Sequence, residues 1–124
     1  MGNSSEMEER LLRQDVEELT EMLRTAPVLE SLRQALRSYS FDPGNLLLAG
    51  FLEDEEENEY GAFVTPSGEV FEYERRTAFE APCGFTSIIR VHDVQRLVTQ
   101  RYPAVRVALT LCRRASDGRS GLSP

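Results

Sequence analysis

The stretch from Tyr60 to Glu74 constrains the fold most, because it turns back on itself around Thr65-Pro66-Ser67-Gly68. Proline presets the backbone angle needed at the first central position of a type I turn. Glycine takes the left-handed conformation of the bulge that follows. Such a turn pairs Thr65 with Glu69, which sets Phe63 opposite Phe71 and Gly61 opposite Tyr73. A loop this short joins antiparallel strands only, so a wholly parallel sheet is excluded. Side chains alternate between faces, so Phe63, Phe71, Gly61 and Tyr73 share one face, while Ala62, Val64, Val70, Glu72 and Glu74 share the other. The aromatic face is the expected core and fixes the register.

The flanking segments supply the covering elements. Ser5 and Glu8 fit a capping box, and Leu12, Val16, Leu19 and Leu23 then recur at alternating steps of four and three, one apolar helical stripe. Thr25-Ala26-Pro27 reads as a stop and restart, leading to a second helix with Leu32 and Leu36 inward. The run Leu46-Leu47-Leu48-Ala49-Gly50-Phe51-Leu52 is apolar at every position, as in a strand covered on both faces. Residues 76–85 read as a loop. Ile88-Ile89-Arg90-Val91 reads as a strand by its β-branched density, with Asp93 capping a helix that carries Val94, Leu97 and Val98. One longer helix capped by Ser87 fits the same residues. Val105, Val107, Leu109 and Leu111 alternate with Arg106, Ala108 and Thr110, which predicts a last strand. The expected architecture is α+β: two N-terminal helices packed on a four- to five-stranded, mostly antiparallel sheet, with a further helix before the last strand. Residues 1–5 read as a flexible start, 6–114 as one domain, and the Ser/Gly/Arg-rich 115–124 as a disordered tail.

At 124 residues the chain is of ordinary domain size, and its net charge of −7 argues against a nucleic-acid or anionic-membrane partner. It contains no lysine, so Schiff-base and phosphate-loop lysine chemistry are excluded. Its two cysteines, Cys83 and Cys112, lack metal-ligand spacing and read as free thiols of a reducing, cytoplasmic compartment. The charged N-terminus has no secretory h-region, and no apolar run reaches the ~20 residues of a transmembrane helix.

No catalytic constellation stands out, and neither cofactor nor metal is expected. His92 is the only histidine, which rules out a multi-histidine zinc site. A nucleophilic pair of Cys83 with His92 is the sole enzymatic alternative, but neither residue sits in a recognisable signature. The run Glu53-Asp54-Glu55-Glu56-Glu57-Asn58-Glu59 fails as a calcium-binding EF-hand loop, because Glu59 falls where the tight turn needs glycine and Thr65 where the bidentate glutamate belongs. It reads as a solvated turn, and its carboxylates Glu53, Asp54, Glu55, Glu56, Glu57 and Glu59 are the candidate partner-binding residues, steering a basic protein by their field.

The hairpin Tyr60-Gly61-Ala62-Phe63-Val64-Thr65-Pro66-Ser67-Gly68-Glu69-Val70-Phe71-Glu72-Tyr73 resembles that of many small bacterial proteins, among them immunity proteins that neutralise polymorphic toxins. The resemblance covers these residues alone and carries over no functional residue. It implies, together with the acidity, a protein-binding module that shields a basic partner. The alternative is an accessory or subunit domain that binds through an apolar sheet face. Nothing in the pattern fixes an oligomeric state.

Overall fold

The computed structural model describes residues 3–76 and 85–122, with side chains described for 5–76 and 85–115. Helix α1 (Asn3–Thr25) leads through a 3-10 turn (Pro27–Leu29) to α2 (Glu30–Ser38) and a second 3-10 turn (Pro43–Asn45). Strands β1 (Leu47–Glu53), β2 (Asn58–Val64), β3 (Val70–Arg76) and β4 (Ser87–Arg90) follow, then α3 (Val94–Gln100) and α4 (Ala104–Leu122). The four strands form one antiparallel sheet in chain order.

The central hairpin has the register its turn demands, with Phe63 opposite Phe71 and Gly61 opposite Tyr73. The Gly68 N–H donates to the Thr65 carbonyl and the Thr65 N–H to that of Glu69, each at 2.9 Å. Gly68 sits at φ +87°, where a side chain would be strained. On the aromatic face Phe63 stacks on Phe71 at 5.4 Å, and Phe41 meets both edge-on at 5.0 Å. Leu23 of α1, Leu32 and Leu36 of α2, and Leu46 and Leu48 close this core. The buried Arg33 joins α1 to α2, since its guanidinium donates at 2.9 Å to the Leu23 carbonyl, near the helix end where carbonyls lack intrahelical partners.

The opposite face is a second core rather than a solvated surface. Ala62, Val64 and Val70 are buried there beneath Leu97 of α3 and Ala104, Val105 and Ala108 of α4. The expectation of a core on the aromatic face alone is therefore corrected. The alternation at Val105, Val107, Leu109 and Leu111 masked a helical period. Ala104, Val105 and Ala108 are buried, with Leu111 and Cys112 half-buried further along, the steps of one helix face. Pro103 stands immediately before the first residue of α4, a position where its fixed φ suits helix entry. The sheet thus has four strands and no fifth, and α3 and α4 both come after the last strand instead of one helix before it. The bounds of α4 extend to Leu122, into the segment that composition alone reads as a tail.

Other elements agree with the residue pattern. Residues 87–90 are a strand, and the Asp93 carboxylate accepts the Arg96 N–H at the start of α3, as a capping residue does. Helix α1 begins at Asn3, ahead of the Ser5 cap. It runs beside β1 and serves both cores, through Val16 on one side and Leu23 on the other. Between them, the Thr20 hydroxyl accepts the Leu48 N–H of β1 at 3.0 Å. A bulge at Ala49 turns Ala49 and Gly50 toward the second core, where the Tyr102 ring lies so close on Gly50 that a Cβ would stand 2.2 Å from it.

With both faces packed, truncation on either should be felt. Phe63→Ala is expected to cost about 3–5 kcal/mol and Val105→Ala roughly 1.5–3 kcal/mol in urea melts. A loss at Phe63 with none at Val105 would contradict the second core.

Candidate functional site

The acidic run divides into a structural part and an exposed part. Asp54 is the keystone of the β1–β2 turn: its Oδ1 accepts the backbone N–H groups of Glu56 and Asn58 at 2.9 Å, and its Oδ2 accepts the Asn58 side-chain amide at 3.1 Å and the Tyr60 hydroxyl at 3.2 Å. These hydrogen bonds, the Asn58 N–H foremost, hold the Asp54 carboxyl below its ordinary pKa. The turn repeats the plan of the one at Thr65–Glu69, where the Thr65 hydroxyl accepts the Glu69 N–H, and Glu57 occupies the left-handed position that Gly68 fills there, at φ +62°. Glu53, Glu55, Glu56 and Glu57 are exposed around it.

Glu59 belongs to a different environment. The turn is shorter than the acidic run, and Asn58 and Glu59 are already paired in β2. Glu59 is 1% exposed and grips Arg75 in two parallel hydrogen bonds of 2.8 and 3.1 Å; the Tyr73 hydroxyl donates to the same carboxylate at 3.0 Å, and Arg75 also donates to the Ser31 hydroxyl of α2 at 3.0 Å. Glu59 therefore faces inward and is no part of the acidic surface formed by the other five. Burial, then the Glu59 charge, raise the Tyr73 phenol well above its ordinary pKa, so it stays a donor. This pair follows from the hairpin register once it is extended past Tyr60 and Glu74, since the next residues to meet are Glu59 and Arg75.

Beyond the turn, α3 and α4 leave part of the second sheet face uncovered. Across the strands, one row reads Leu52, Tyr60, Glu74 and Ser87, and the next Gly50, Ala62, Glu72 and Ile89. Leu52 is 60% and Ile89 56% exposed, and Tyr60 and Glu74 are half-buried between them. Tyr60, Glu72, Glu74, Ser87, Ile89 and Arg101 line a shallow depression of about 200 Å³ here. Arg101 is held by Glu72 at 2.7 Å. Among the described residues no arginine forms an ion pair with Glu53, Glu55, Glu56 or Glu74. Desolvation first, then the Asp54 hydrogen bond and the charges of Asp54, Glu74 and Glu56, raise the Tyr60 phenol above its ordinary pKa.

His92 is exposed, and the neighbouring Asp93 spends its carboxylate on the α3 cap. Cys83 lies outside the described residues. The Cys112 thiol is half-buried on α4 and points to the carbonyls of Thr65 and Pro66 at 3.4 and 3.3 Å. Among the described residues no group of three or more His, Cys, Asp or Glu side chains could hold a metal ion, and no helix is long and apolar enough to cross a membrane. The chain matches no protein-family model, no curated protein and no solved structure.

Two predictions follow from the two parts of the acidic run. Glu59→Gln leaves the Arg75 charge buried and uncompensated and should cost about 3–5 kcal/mol, whereas Glu59→Leu with Arg75→Met should restore much of the loss. Calorimetric or urea unfolding decides between them. The depressed pKa of Asp54 makes its contribution to stability present above the unfolded-state value and lost as pH falls through the folded one. Amide exchange at Glu56 and Asn58 should therefore accelerate on acidification below pH ~4, beyond the intrinsic trend, and Asp54→Ala should remove that acceleration.

Proposed function

We propose that the chain is an acidic protein-binding module that engages a basic protein partner, in the manner of an immunity protein shielding its toxin, with no chemistry of its own and in the cytoplasm. The observation that carries this reading is the uncovered part of the second sheet face. It sets the apolar Leu52 and Ile89 and the phenol of Tyr60 beside the carboxylates of Glu53, Glu55, Glu56 and Glu74, for which the ion pairs of the described residues include no arginine partner. Apolar groups supply contact area, and the turn at Glu53, Asp54, Glu55, Glu56 and Glu57 supplies a field that speeds encounter with a cation. Tyrosine between the two suits an interface, since its ring packs against apolar groups and its hydroxyl stays hydrogen-bonded.

The second reading, an accessory or subunit domain that binds through an apolar sheet face, is favoured by Leu52 and Ile89 being exposed on the same face. Salt dependence separates the two. Stopped-flow association with an arginine-rich peptide should slow steeply with added salt, and the double variant Glu55→Gln, Glu56→Gln should associate several-fold more slowly with a flatter salt slope. Unchanged rate and slope in the variant would reduce the turn to a solvated connection and leave the apolar face as the only basis for binding.

A further inference from the structure

Helix α1 carries two stripes. The buried one is Leu12, Val16, Leu19 and Leu23, half-buried or buried against the cores. The other is Met7, Leu11, Asp15, Glu18 and Met22, again at steps of four and three, and all five are exposed. Met7 and Leu11 are more than half exposed, on a helix that already buries a full stripe. Asp15 has no hydrogen-bond or ion-pair partner among the described residues, and Glu18 accepts from Gln14 alone.

The C-terminal part of this stripe forms one wall of an open groove of about 370 Å³. Asp15, Glu18 and Met22, with Leu12 and Leu19 of the buried stripe behind them, face Phe51 and Leu52 of β1 and the Tyr102–Pro103 corner across it. Its floor is apolar and its rim acidic. Arg101, at its far side, is the one basic residue lining it among the described residues and is occupied by Glu72 at 2.7 Å. The groove shares Arg101 and Tyr102 with the depression on the sheet face, so the two surfaces are continuous.

We propose that this groove receives an amphipathic helix of the partner protein, laid along α1, whose contact stripe reads apolar, cationic, cationic, apolar. This rests on the reading of the chain as an acidic binding module and names the form of partner it takes. The charge order is the argument. A partner with apolar groups alone would strand Asp15 and Glu18 against them, at the cost of burying unpaired carboxylates. A partner with cations alone would leave Met7, Leu11, Met22 and Leu52 in water. Met7 to Met22 spans about 22 Å at 1.5 Å per residue, and residues three and four apart on a facing helix repeat at the same intervals as this stripe.

The probe is an alanine-based helical peptide with Leu, Arg, Arg and Leu at successive steps of four, three and four, titrated into the isotope-labelled full chain. Companion peptides replace its leucines by serine or its arginines by glutamate. The parent should bind the Leu/Arg peptide with amide shifts along α1 from Leu11 to Met22 and at Leu52, and should bind the Ser/Arg peptide at least ~10-fold more weakly. The double variant Asp15→Arg, Glu18→Arg, which changes only exposed helical positions, should lose the Leu/Arg peptide by ~10-fold or more and gain the Leu/Glu peptide. Shifts confined to residues 53–57, equal for the leucine and serine peptides, would overturn the groove while leaving the acidic-module reading intact. Absence of salt-dependent binding by either arginine peptide would overturn both.

Discussion

The register of the β2–β3 hairpin is the constraint on which the rest of the structure depends. Once Gly68 closes its turn on Thr65, every later pair is determined by counting outward. Phe63 must lie beside Phe71, Ala62 beside Glu72, and at the far end Glu59 beside Arg75. A slip of one residue would carry Phe63 into the face where Ala104 and Ala108 press close, and would bring Glu59 out of reach of its guanidinium. The buried ion pair therefore acts as a second lock on the register set by the turn. Its geometry satisfies the requirement for burying charge: a bidentate contact, a phenol on one oxygen, and a serine hydroxyl on the remaining guanidinium nitrogen. The described residues hold no buried side-chain polar atom without a partner.

The two sheet faces are built on different plans. The aromatic face takes α2 and the end of α1 through large rings and leucines. The second face is lined by small residues, Ala49, Gly50 and Ala62, which let Tyr102 and the alanines of α4 approach closely. Small residues reduce the distance at which a helix can sit, and α3 and α4 cover only part of the strands' length. The uncovered remainder, at the end nearest the acidic turn, is where Leu52, Tyr60 and Ile89 are left partly in water. The candidate surface is thus a consequence of how far the covering helices reach.

How much of this was legible varied with how local the signal is. Turn chemistry at residues 65–68 acts through the backbone of four residues, so the hairpin, its register and its aromatic core could be read directly. The apolar run of residues 46–52 that forms most of β1 and the Asp93 cap are similarly local. The segment after Pro103 failed because Val105, Val107, Leu109 and Leu111 satisfy a period of two, while Ala104, Val105, Ala108, Leu111 and Cys112 satisfy one of 3.6. The choice between them was made by the second face of the sheet, which needed a cover that no local pattern announces. The acidic run misled for a related reason. Glu59 resembles its neighbours in composition, and only its cross-strand partner sets it apart. The exposed stripe from Met7 to Met22 was hidden by its two acids, which make α1 look like an ordinary wet face beside one apolar stripe.

One oxygen atom has a consequence for the fate of the protein outside its native state. The Thr20 hydroxyl covers the Leu48 N–H on the outer edge of β1, and α1 lies along that edge. An uncovered strand edge is a template on which other chains can add. The residues flanking Leu48 are among the most apolar of the chain, the composition that favours intermolecular β-stacking. Fraying of α1 would therefore release an aggregation-prone strand before the remaining sheet lost its own pairing. The first helix is in that sense a guard as well as a wall of the core.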